Sequence, residues 1–409
     1  MANLLYLVHR IPYPPNKGDK VRSYHLLKHL TAHHNVFLGT FLDDAADEAY
    51  VDIVRSMCTD LHVARINPRL AKLASLAGLM THQALSLRYY RNSGLHAWVN
   101  RILVEQKIDK TVVFSSVMAQ FLENRSGIAN PPMLVDFVDV DSAKWTQYAP
   151  DHRWPLSWLY RREGMRLLAY ERAVAAQSQR SFFVTENEAD LFGKLAPECK
   201  GLVQAMSNGV DSDFFSPDPG RISPFVGEAA SRPEIPIVFT GAMDYWPNID
   251  AVTWFVNDIL PALRKTWPDI CFYIVGRSPP PAVQSLASNA VVVTGTVPDV
   301  RPFLQHAALV VAPLRVARGI QNKILEAMAM ARPVVASQSC VEAIEAKCGD
   351  ELISATSASD FVREIDALLK SPEIAAAVGT AGRQRVVKSY SWDAHLAAID
   401  PYLNGIAHG

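Results

Sequence analysis

A polar cluster between two apolar runs is the part of this sequence best suited to chemistry. The runs cover residues 308–314 and 333–337, and the chain between positions 318 and 332 reads R-G-I-Q-N-K-I-L-E-A-M-A-M-A-R. Its apolar spacing predicts a helix whose first turn holds Gly319, Gln321 and Lys323. The first N–H groups of a helix lack intrahelical partners and lie at the positive end of its dipole, so they favour an anion.

Three residues of this helix suit a nucleotide sugar. Gly319 lets a ligand approach the backbone closely, and Lys323 adds a point charge suited to phosphate. Glu326 lies three residues after Lys323 on the same helix face, where its carboxylate can accept hydrogen bonds from vicinal hydroxyls such as those of a ribose. The alternative is an ordinary surface ion pair beside ordinary core residues.

Composition limits the class of protein. A chain of 409 residues is long enough for two domains, and its 49% apolar and 20% charged residues are typical of a globular protein. The net charge of −1 gives no indication of nucleic-acid binding. The five cysteines are odd in number and show no C-x-x-C spacing, which indicates reduced thiols in a cytoplasmic protein without a zinc site. The short apolar run at 4–8 does not resemble a signal peptide, and no run is long enough for a membrane span.

The two halves of the sequence resemble each other, because each opens with a predicted strand, a turn-rich loop and a helix. Strands alternating with helices predict parallel sheets covered on both faces, and hence an α/β fold with two Rossmann-like domains facing across a cleft. The predicted strands are 4–8, 36–41, 61–64, 111–114, 133–137 and 181–185 in the first half, and 235–240, 271–275, 291–294, 309–312 and 334–336 in the second.

The predicted domains are residues 1–210 and 211–388. Gly209 follows Asn208 in a turn-like sequence, and residues 216–236 are rich in Pro, Gly and Ser, as linkers often are. Residues 389–409 contain an amphipathic stretch that predicts a closing helix.

Further candidates follow other predicted strands. Gly18 precedes the first helix in K-G-D-K, so backbone amides there could face a phosphate or a sugar. Arg277 follows 271–275 and could clamp a diphosphate, and the amides around Val297 could bind a nucleobase edge. The alternative for Gly18 is a solvated turn, and the alternative for Arg277 is an ordinary surface arginine.

Three aspartates cluster at the end of the predicted strand 133–137 and just after it, at positions 136, 139 and 141. A carboxylate there, Asp139 or Asp141, could orient or deprotonate an acceptor hydroxyl. Their spacing does not match an EF-hand, and the sequence contains no G-x-S-x-G, H-E-x-x-H, Walker A or G-x-G-x-x-G motif.

A basic stretch without Asp or Glu runs from 61 to 104 and carries leucines at helical spacing. A second segment, 152–172, mixes arginines with Trp and Tyr. Basic amphipathic segments with aromatic residues suit an anionic membrane surface, on the inner face of the cell membrane for a cytoplasmic protein. The alternative is a core-packed helix with a solvated basic side.

The motifs together resemble the retaining GT-B glycosyltransferases called group 1 or family 4. The second half carries the resemblance in G-A-M-D-Y-W-P-N, I-V-G-R, G-T-V-P-D-V and G-I-Q-N-K-I-L-E-A-M-A-M-A-R-P-V-V, and N-G-V-D matches the inter-domain junction. The first half resembles the exopolysaccharide sugar transferases associated with PEP-CTERM/exosortase loci, through P-P-N-K-G-D-K-V-R-S-Y-H-L-L and D-F-V-D-V-D-S.

No metal-ligand cluster is evident in the sequence, so we expect a site without metal or cofactor, and the resemblance implies the roles of its residues. Glu326 would bind the donor ribose, Lys323 would hold the diphosphate and donor sugar, and Gly18 would adjoin the transferred sugar. The closing helix would return to the first domain. The remaining donor-binding positions implied are Gly241, Val297, Arg318, Gly319, Ile320 and Gln321.

The sequence departs from the family pattern in two places. Arg318 stands where a second glutamate usually contacts the donor sugar, so the identity of the donor sugar is left open. Met243, Asp244 and Tyr245 stand where many members carry an arginine and a lysine, and Arg277 or Lys323 would supply that charge.

The leading hypothesis is transfer from a nucleoside-diphosphate sugar to a glycan or polyprenyl-linked acceptor, and the resemblance implies that the anomeric configuration is retained. The predicted catalytic residues are Lys323 and Glu326, together with Asp139 or Asp141 at the end of their strand. The alternatives are a GT-B nucleotide-sugar epimerase and a catalytically degenerate, membrane-docked assembly subunit.

Overall fold

The computed structural model describes residues 1–15, 18–81, 83–123, 130–150, 152–225, 234–316 and 320–404. The chain forms two compact units. The first comprises Met1–Asn208 and the C-terminal residues from His395 onward, and the second comprises Gly209–Ala394. The predicted boundaries at 210 and 388 remain predictions about where independently folding domains end.

The first unit is built on a parallel sheet. Its strand order is β3-β2-β1-β4-β5-β6-β7, so the chain reverses direction across the sheet between β1 and β4, as in doubly wound folds. Its strands are β1 (Asn3–Val8), β2 (Asn35–Leu42), β3 (Asp60–Arg65), β4 (Lys110–Phe114), β5 (Met133–Val138), β6 (Arg180–Phe183) and β7 (Val203–Ala205).

Helices connect these strands. They are α1 (Gly18–His33), α2 (Val51–Met57), α3 (Pro68–Ser75), α4 (Leu85–Tyr89), α5 (Ser93–Glu105), α6 (Asp141–Tyr148), α7 (Leu156–Gln177) and α8 (Glu186–Leu195). Short 3₁₀ segments are Ala45–Tyr50, Leu76–Met80, Ser116–Leu122 and Pro197–Leu202.

The second unit repeats this design with the order β10-β9-β8-β11-β12-β13, again parallel. Its strands are β8 (Ile235–Thr240), β9 (Ile270–Val275), β10 (Val291–Gly295), β11 (Leu309–Ala312), β12 (Val334–Ser337) and β13 (Ile353–Ala355). Its helices are α9 (Trp246–Trp254), α10 (Leu260–Thr266), α11 (Pro281–Gln284), α12 (Arg301–His306), α13 (Asn322–Ala329), α14 (Gln338–Val341), α15 (Ala358–Lys370) and α16 (Pro372–Ser389).

Each sheet contributes apolar strands to a core of its own. All six residues of β9, I-C-F-Y-I-V, are buried, as expected for a parallel strand that is covered on both faces. In the first unit Leu5, Val113 and Val135 come from three neighbouring strands of one core, and each is 0% exposed. The central strands are therefore held rigidly, and the loops at their ends carry the polar groups.

Several predicted elements differ in detail. The three-residue strands β7 and β13 were missed, because so short a run has little periodicity. The predicted first helix of the second half, residues 249–263, contains a π-helical segment, Phe255–Ile259, just before Pro261. Proline has no N–H to donate to the helical ladder, which explains the irregular turn. The predicted closing helix consists of α17 (Trp392–Leu396), a 3₁₀ turn (Ala397–Ile399) and α18 (Asp400–Leu403).

Candidate functional site

A pocket of about 570 Å³ lies in the second unit, at the carboxyl ends of β8, β9 and β10 and at the N-terminus of α13. Loops that are far apart in the sequence meet there, as expected at the switch point of a doubly wound sheet. The predicted donor-binding residues that line this pocket are Gly241, Arg277, Val297, Ile320, Gln321, Lys323 and Glu326.

Two glycines bring the first loops together. A Cβ added to Gly276 would lie 1.7 Å from the carbonyl oxygen of Gly241, so no other residue fits at 276 without moving the backbone. A Cβ added to Gly241 would lie 2.9 Å from Lys323 Nζ. The lysine ammonium therefore rests against bare backbone at the floor of the pocket.

Lys323 is held from two sides. Its Nζ donates a hydrogen bond to Asn248 Oδ1 and lies 4.3 Å from the centroid of the Phe239 ring, a cation–π contact. Asn248 is itself fixed, because its Nδ2 donates to the carbonyl oxygen of Ala242 at 2.8 Å. The sequence does not predict Asn248 or Phe239 as site residues, and the only signal for Asn248 was its place in G-A-M-D-Y-W-P-N.

Burial shifts the pKa of both charged residues of α13. It lowers the pKa of Lys323 to about 8, against the smaller opposing influence of Cys340 and Glu326. It raises the pKa of Glu326 to about 7, and the charge of Lys323 opposes that rise. An anion would stabilise the charged lysine, and hydroxyl donors would stabilise the carboxylate, so the pocket suits a ligand that carries both.

Helix α13 begins later than predicted. Its first residue is Asn322, and Gln321 is the N-cap in an extended conformation, so Gln321 is not in the first turn. Arg318 and Gly319, both predicted donor contacts, lie outside the described residues. The start of this helix still lies at the pocket, because Gln321 and Asn322 both line it.

Arg277 and Val297 line the same pocket from the loops after β9 and β10. The Arg277 side chain is exposed, while its carbonyl oxygen accepts a hydrogen bond from the Met243 amide at 2.9 Å. Gly295, at the end of β10, has a φ of +68°, a left-handed conformation that glycine adopts without strain. This turn leads the backbone towards Val297.

The predicted site residues of the first unit, Gly18, Asp139 and Asp141, do not line the donor pocket. Gly18 is the exposed first residue of α1, and a Cβ there would meet no atom within 4 Å, so its backbone is open to a ligand. Asp139 and Asp141 flank the start of α6, and Lys144 Nζ binds both, at 2.7 and 3.1 Å. Two neighbouring carboxylates raise the pKa of Lys144, although burial opposes them.

Asp136 belongs to the core of the first unit and is separate from its two neighbours in the predicted cluster. Its carboxylate accepts two hydrogen bonds from Arg22, at 2.8 and 3.1 Å, and both side chains are fully buried. Arg22 also donates to Asn208 Oδ1 at 2.9 Å. Asp136 therefore has a structural role that its position near the end of β5 did not indicate.

The apolar residues between positions 70 and 80 of the basic stretch face solvent, whereas Leu87 and Leu95 pack in the core. Along α3 and the following 3₁₀ turn, Leu70, Leu73, Leu76, Leu79 and Met80 form an exposed apolar surface. Met80 is 92% exposed, and Trp154 and Trp158 before and within α7 are also exposed. Arg162 of α7 donates hydrogen bonds of 2.6 Å to the carbonyl oxygens of Gly78 and Thr81, which fastens this turn to α7.

Within the described ranges, no three His, Cys, Asp or Glu side chains come together as a metal site would require. In the same part of the chain, no helix is both long and apolar enough to cross a bilayer.

Comparisons with known proteins agree with this architecture. Residues 234–371 match the family model described as glycosyl transferases group 1. HepE from Anabaena, solved in complex with UDP, is similar in fold, with a TM-score of 0.59 at 14% identity over 99% of this chain and 100% of that one. Sucrose-phosphate synthase from Thermosynechococcus elongatus gives 0.59 at 15% identity over 99% of each chain.

A glycosyltransferase from Rickettsia africae also gives a TM-score of 0.59, at 14% identity over 100% of this chain and 99% of that one. The chain matches no curated protein by sequence. The two parallel α/β units have the GT-B fold, which confirms the predicted fold class.

Proposed function

We propose that this protein is a retaining glycosyltransferase that moves a sugar from a nucleoside-diphosphate donor to a hydroxyl of a glycan or lipid-linked acceptor, in exopolysaccharide synthesis. The observation that supports donor binding best is the pocket of the second unit, where Gly241, Arg277, Val297 and the start of α13 meet. The family match at 234–371 covers the same loops.

The chemistry of the pocket fits the departure of a nucleoside diphosphate. Negative charge grows on the leaving phosphate during transfer, and charged donors fixed beforehand stabilise it most. Lys323 is fixed by Asn248 and Phe239, and the first turn of α13 adds N–H donors. In this proposal Arg277 supplies a second positive charge, Glu326 accepts from the ribose hydroxyls, and Val297 lies in the loop that binds the base.

The acceptor side of the proposal rests on the first unit. Asp139 or Asp141 would orient the acceptor hydroxyl and take its proton, while Lys144, which binds both, keeps their carboxylates in place. Gly18 would adjoin the transferred sugar, because its backbone is free of side-chain cover.

Product analysis with a panel of nucleotide sugars tests this function. HepE was solved with UDP, so UDP sugars are the first donors to test. We expect acceptor-dependent release of nucleoside diphosphate and a product that keeps the donor's anomeric configuration. Conversion of the donor without an acceptor would indicate an epimerase. Donor binding without turnover under any condition would indicate an assembly subunit, and either result would refute the proposal.

Donor affinity is expected to peak between pH 7 and 8. The pKa of Lys323 is about 8, so its charge and the attraction for diphosphate are lost as the pH rises through that value. The pKa of Glu326 is about 7, so below it the carboxylate is protonated and accepts less well from ribose. Calorimetric titration of a nucleotide sugar from pH 6 to 9 measures this profile, because its diphosphate stays ionised throughout.

Two variants show which residue causes each limb of that pH profile. Glu326→Gln should remove the acidic limb, and Lys323→Met should remove the alkaline limb. A flat profile for the unmodified protein would mean that neither group titrates against the ligand.

The membrane surface is a further part of the proposal. The apolar surface from Leu70 to Met80 is exposed, and the stretch 61–104 around it carries arginines and a lysine but no acid. Such a face complements an anionic bilayer, since each basic residue near it contributes about 1 kcal/mol.

Vesicle flotation tests that interaction. We expect full-length protein to bind phosphatidylglycerol vesicles at low ionic strength and to dissociate as salt is added. Replacing both Leu73 and Met80 with glutamate should weaken binding about tenfold or more, through lost apolar burial and added repulsion. Ile374→Glu, at an exposed position of the second unit, is the matched control. No binding at low ionic strength would exclude this surface as a membrane site.

A further inference from the structure

A second cavity, of about 450 Å³, lies in the first unit between α4, the start of α5 and the 3₁₀ turn Ser116–Leu122. It is separate from the donor pocket, which lies in the second unit. Arg88, Arg91 and His96 line it, and Glu123 is the one carboxylate among its described lining residues. Its charge therefore favours an anion that carries more than one acceptor oxygen.

The arginines of this cavity are without carboxylate partners. Among the described residues, neither Arg88 nor Arg91 forms an ion pair, and Arg88 Nε is buried without a hydrogen-bond partner. Most buried polar groups in proteins are paired, so this guanidinium N–H is available to donate to an acceptor oxygen from a ligand. A phosphate or carboxylate group would supply one.

A buried acid of α7 already binds the start of α4. Glu163 of α7 is 2% exposed, and its carboxylate accepts from the amides of Leu85 and Ser86 at 2.7 and 2.9 Å, and from Ser86 Oγ at 2.7 Å. It thus caps α4 and fixes the helix that carries Arg88.

The start of α5 strengthens the site. This helix is 13 residues long, and its N-cap Asn92 accepts from the Leu95 amide at 2.9 Å. Ser93, its first residue, lines the cavity. The positive end of the α5 dipole therefore adds to the field of the two arginines.

The cavity adjoins the exposed apolar surface. A Cβ added to Gly78 would lie 3.4 Å from Arg88 Cδ and 2.8 Å from Leu85 Cδ2, so the turn Leu76–Met80 packs directly on α4. Met80, at the end of that turn, is almost fully exposed. A charged group held by Arg88 would thus be attached within reach of an apolar surface.

We infer that this cavity binds a phosphate ester carried by an apolar chain, with the phosphate on Arg88, Arg91 and the start of α5 and the chain on the surface that includes Met80. The phosphate of a polyprenyl-linked acceptor and that of a membrane phospholipid share this chemistry. The inference concerns the first unit alone, so it stands or falls separately from donor binding.

The test is a titration of full-length protein with three probes: polyprenyl phosphate in neutral detergent micelles, phosphatidylglycerol in the same micelles, and soluble glycerol 3-phosphate. Using the Lys323→Met background keeps the donor pocket from contributing. Arg88→Met and Arg91→Met should each weaken binding of a lipid-borne phosphate at least tenfold, while Glu123→Gln should strengthen it. Arg101→Met is the matched control, because Arg101 lies on α5 but pairs with Asp60 and Glu105.

The outcomes separate the two sources. A loss confined to polyprenyl phosphate assigns the cavity to a lipid-linked acceptor, and an equal loss for phosphatidylglycerol assigns it to phospholipid. The inference is overturned if Arg101→Met weakens binding as much as Arg88→Met, or if glycerol 3-phosphate binds as tightly as the lipid-borne probes. Arg88→Lys, which keeps the charge, should retain most of the affinity. Retained binding in this variant beside lost binding in Arg88→Met would show that the loss comes from the missing charge and not from misfolding.

Discussion

Replacing Lys323 with methionine is expected to lower kcat/KM for the nucleotide-sugar donor by about 10²–10³-fold, the usual cost of removing one fixed donor from a transition state that develops charge. Methionine has nearly the same length, so it fills the space over Phe239 and beside Gly241 without the ammonium group. The change therefore removes the charge and leaves the packing. Steady-state kinetics with a saturating acceptor measures the effect.

The matched control for this variant is Lys388→Met. Lys388 lies in the last turn of α16 in the same unit, is exposed, and does not line the pocket. Its kinetics should stay within about twofold of the unmodified protein, since isolated surface charges contribute little. Equal activity of the Lys323 and Lys388 variants would remove Lys323 from the site.

Replacing Asp136 with alanine is expected to cost about 3–5 kcal/mol of the free energy of unfolding, because it leaves the buried Arg22 guanidinium without its carboxylate. Both side chains are fully buried and joined by two hydrogen bonds. Replacing both at once, Arg22→Met with Asp136→Leu, should cost less than the single change. The reason is that no charge is then left unpaired in the core.

Equilibrium unfolding in urea, followed by circular dichroism, measures these free energies. Asp52→Ala is the control, since Asp52 is 98% exposed and its contact with Arg55 spans 3.9 Å. We expect less than about 0.5 kcal/mol there. A cost below about 1 kcal/mol for Asp136→Ala would show that the buried pair does not stabilise the first unit.

The part of the site that the sequence predicts is local. Lys323 and Glu326 are three residues apart on one helix, so their shared face follows from helical geometry. Gly241, Arg277 and Val297 each follow an apolar strand, and parallel strands place such loops at one edge of a sheet. The strand pattern therefore predicts both the fold class and the loops that meet in the second unit.

What the sequence could not predict depends on contacts between distant residues. Asn248 and Phe239 hold Lys323 from positions 75 and 84 residues away, and no periodicity links them. Arg22 and Asp136 are separated by 114 residues, so Asp136 appeared to belong with Asp139. Helical spacing at Leu70 and Leu73 predicts an apolar face, but only the fold decides whether another element covers it.

Calorimetric titration of nucleoside diphosphates into the full-length protein tests the central claim most directly. We predict that at least one of UDP, GDP, ADP and dTDP binds, and that Lys323→Met and Glu326→Gln each weaken it tenfold or more, about 1.4 kcal/mol, while Lys388→Met does not. Failure of all four to bind, or unchanged affinity in both pocket variants, would contradict the assignment of this pocket to a nucleotide-sugar donor.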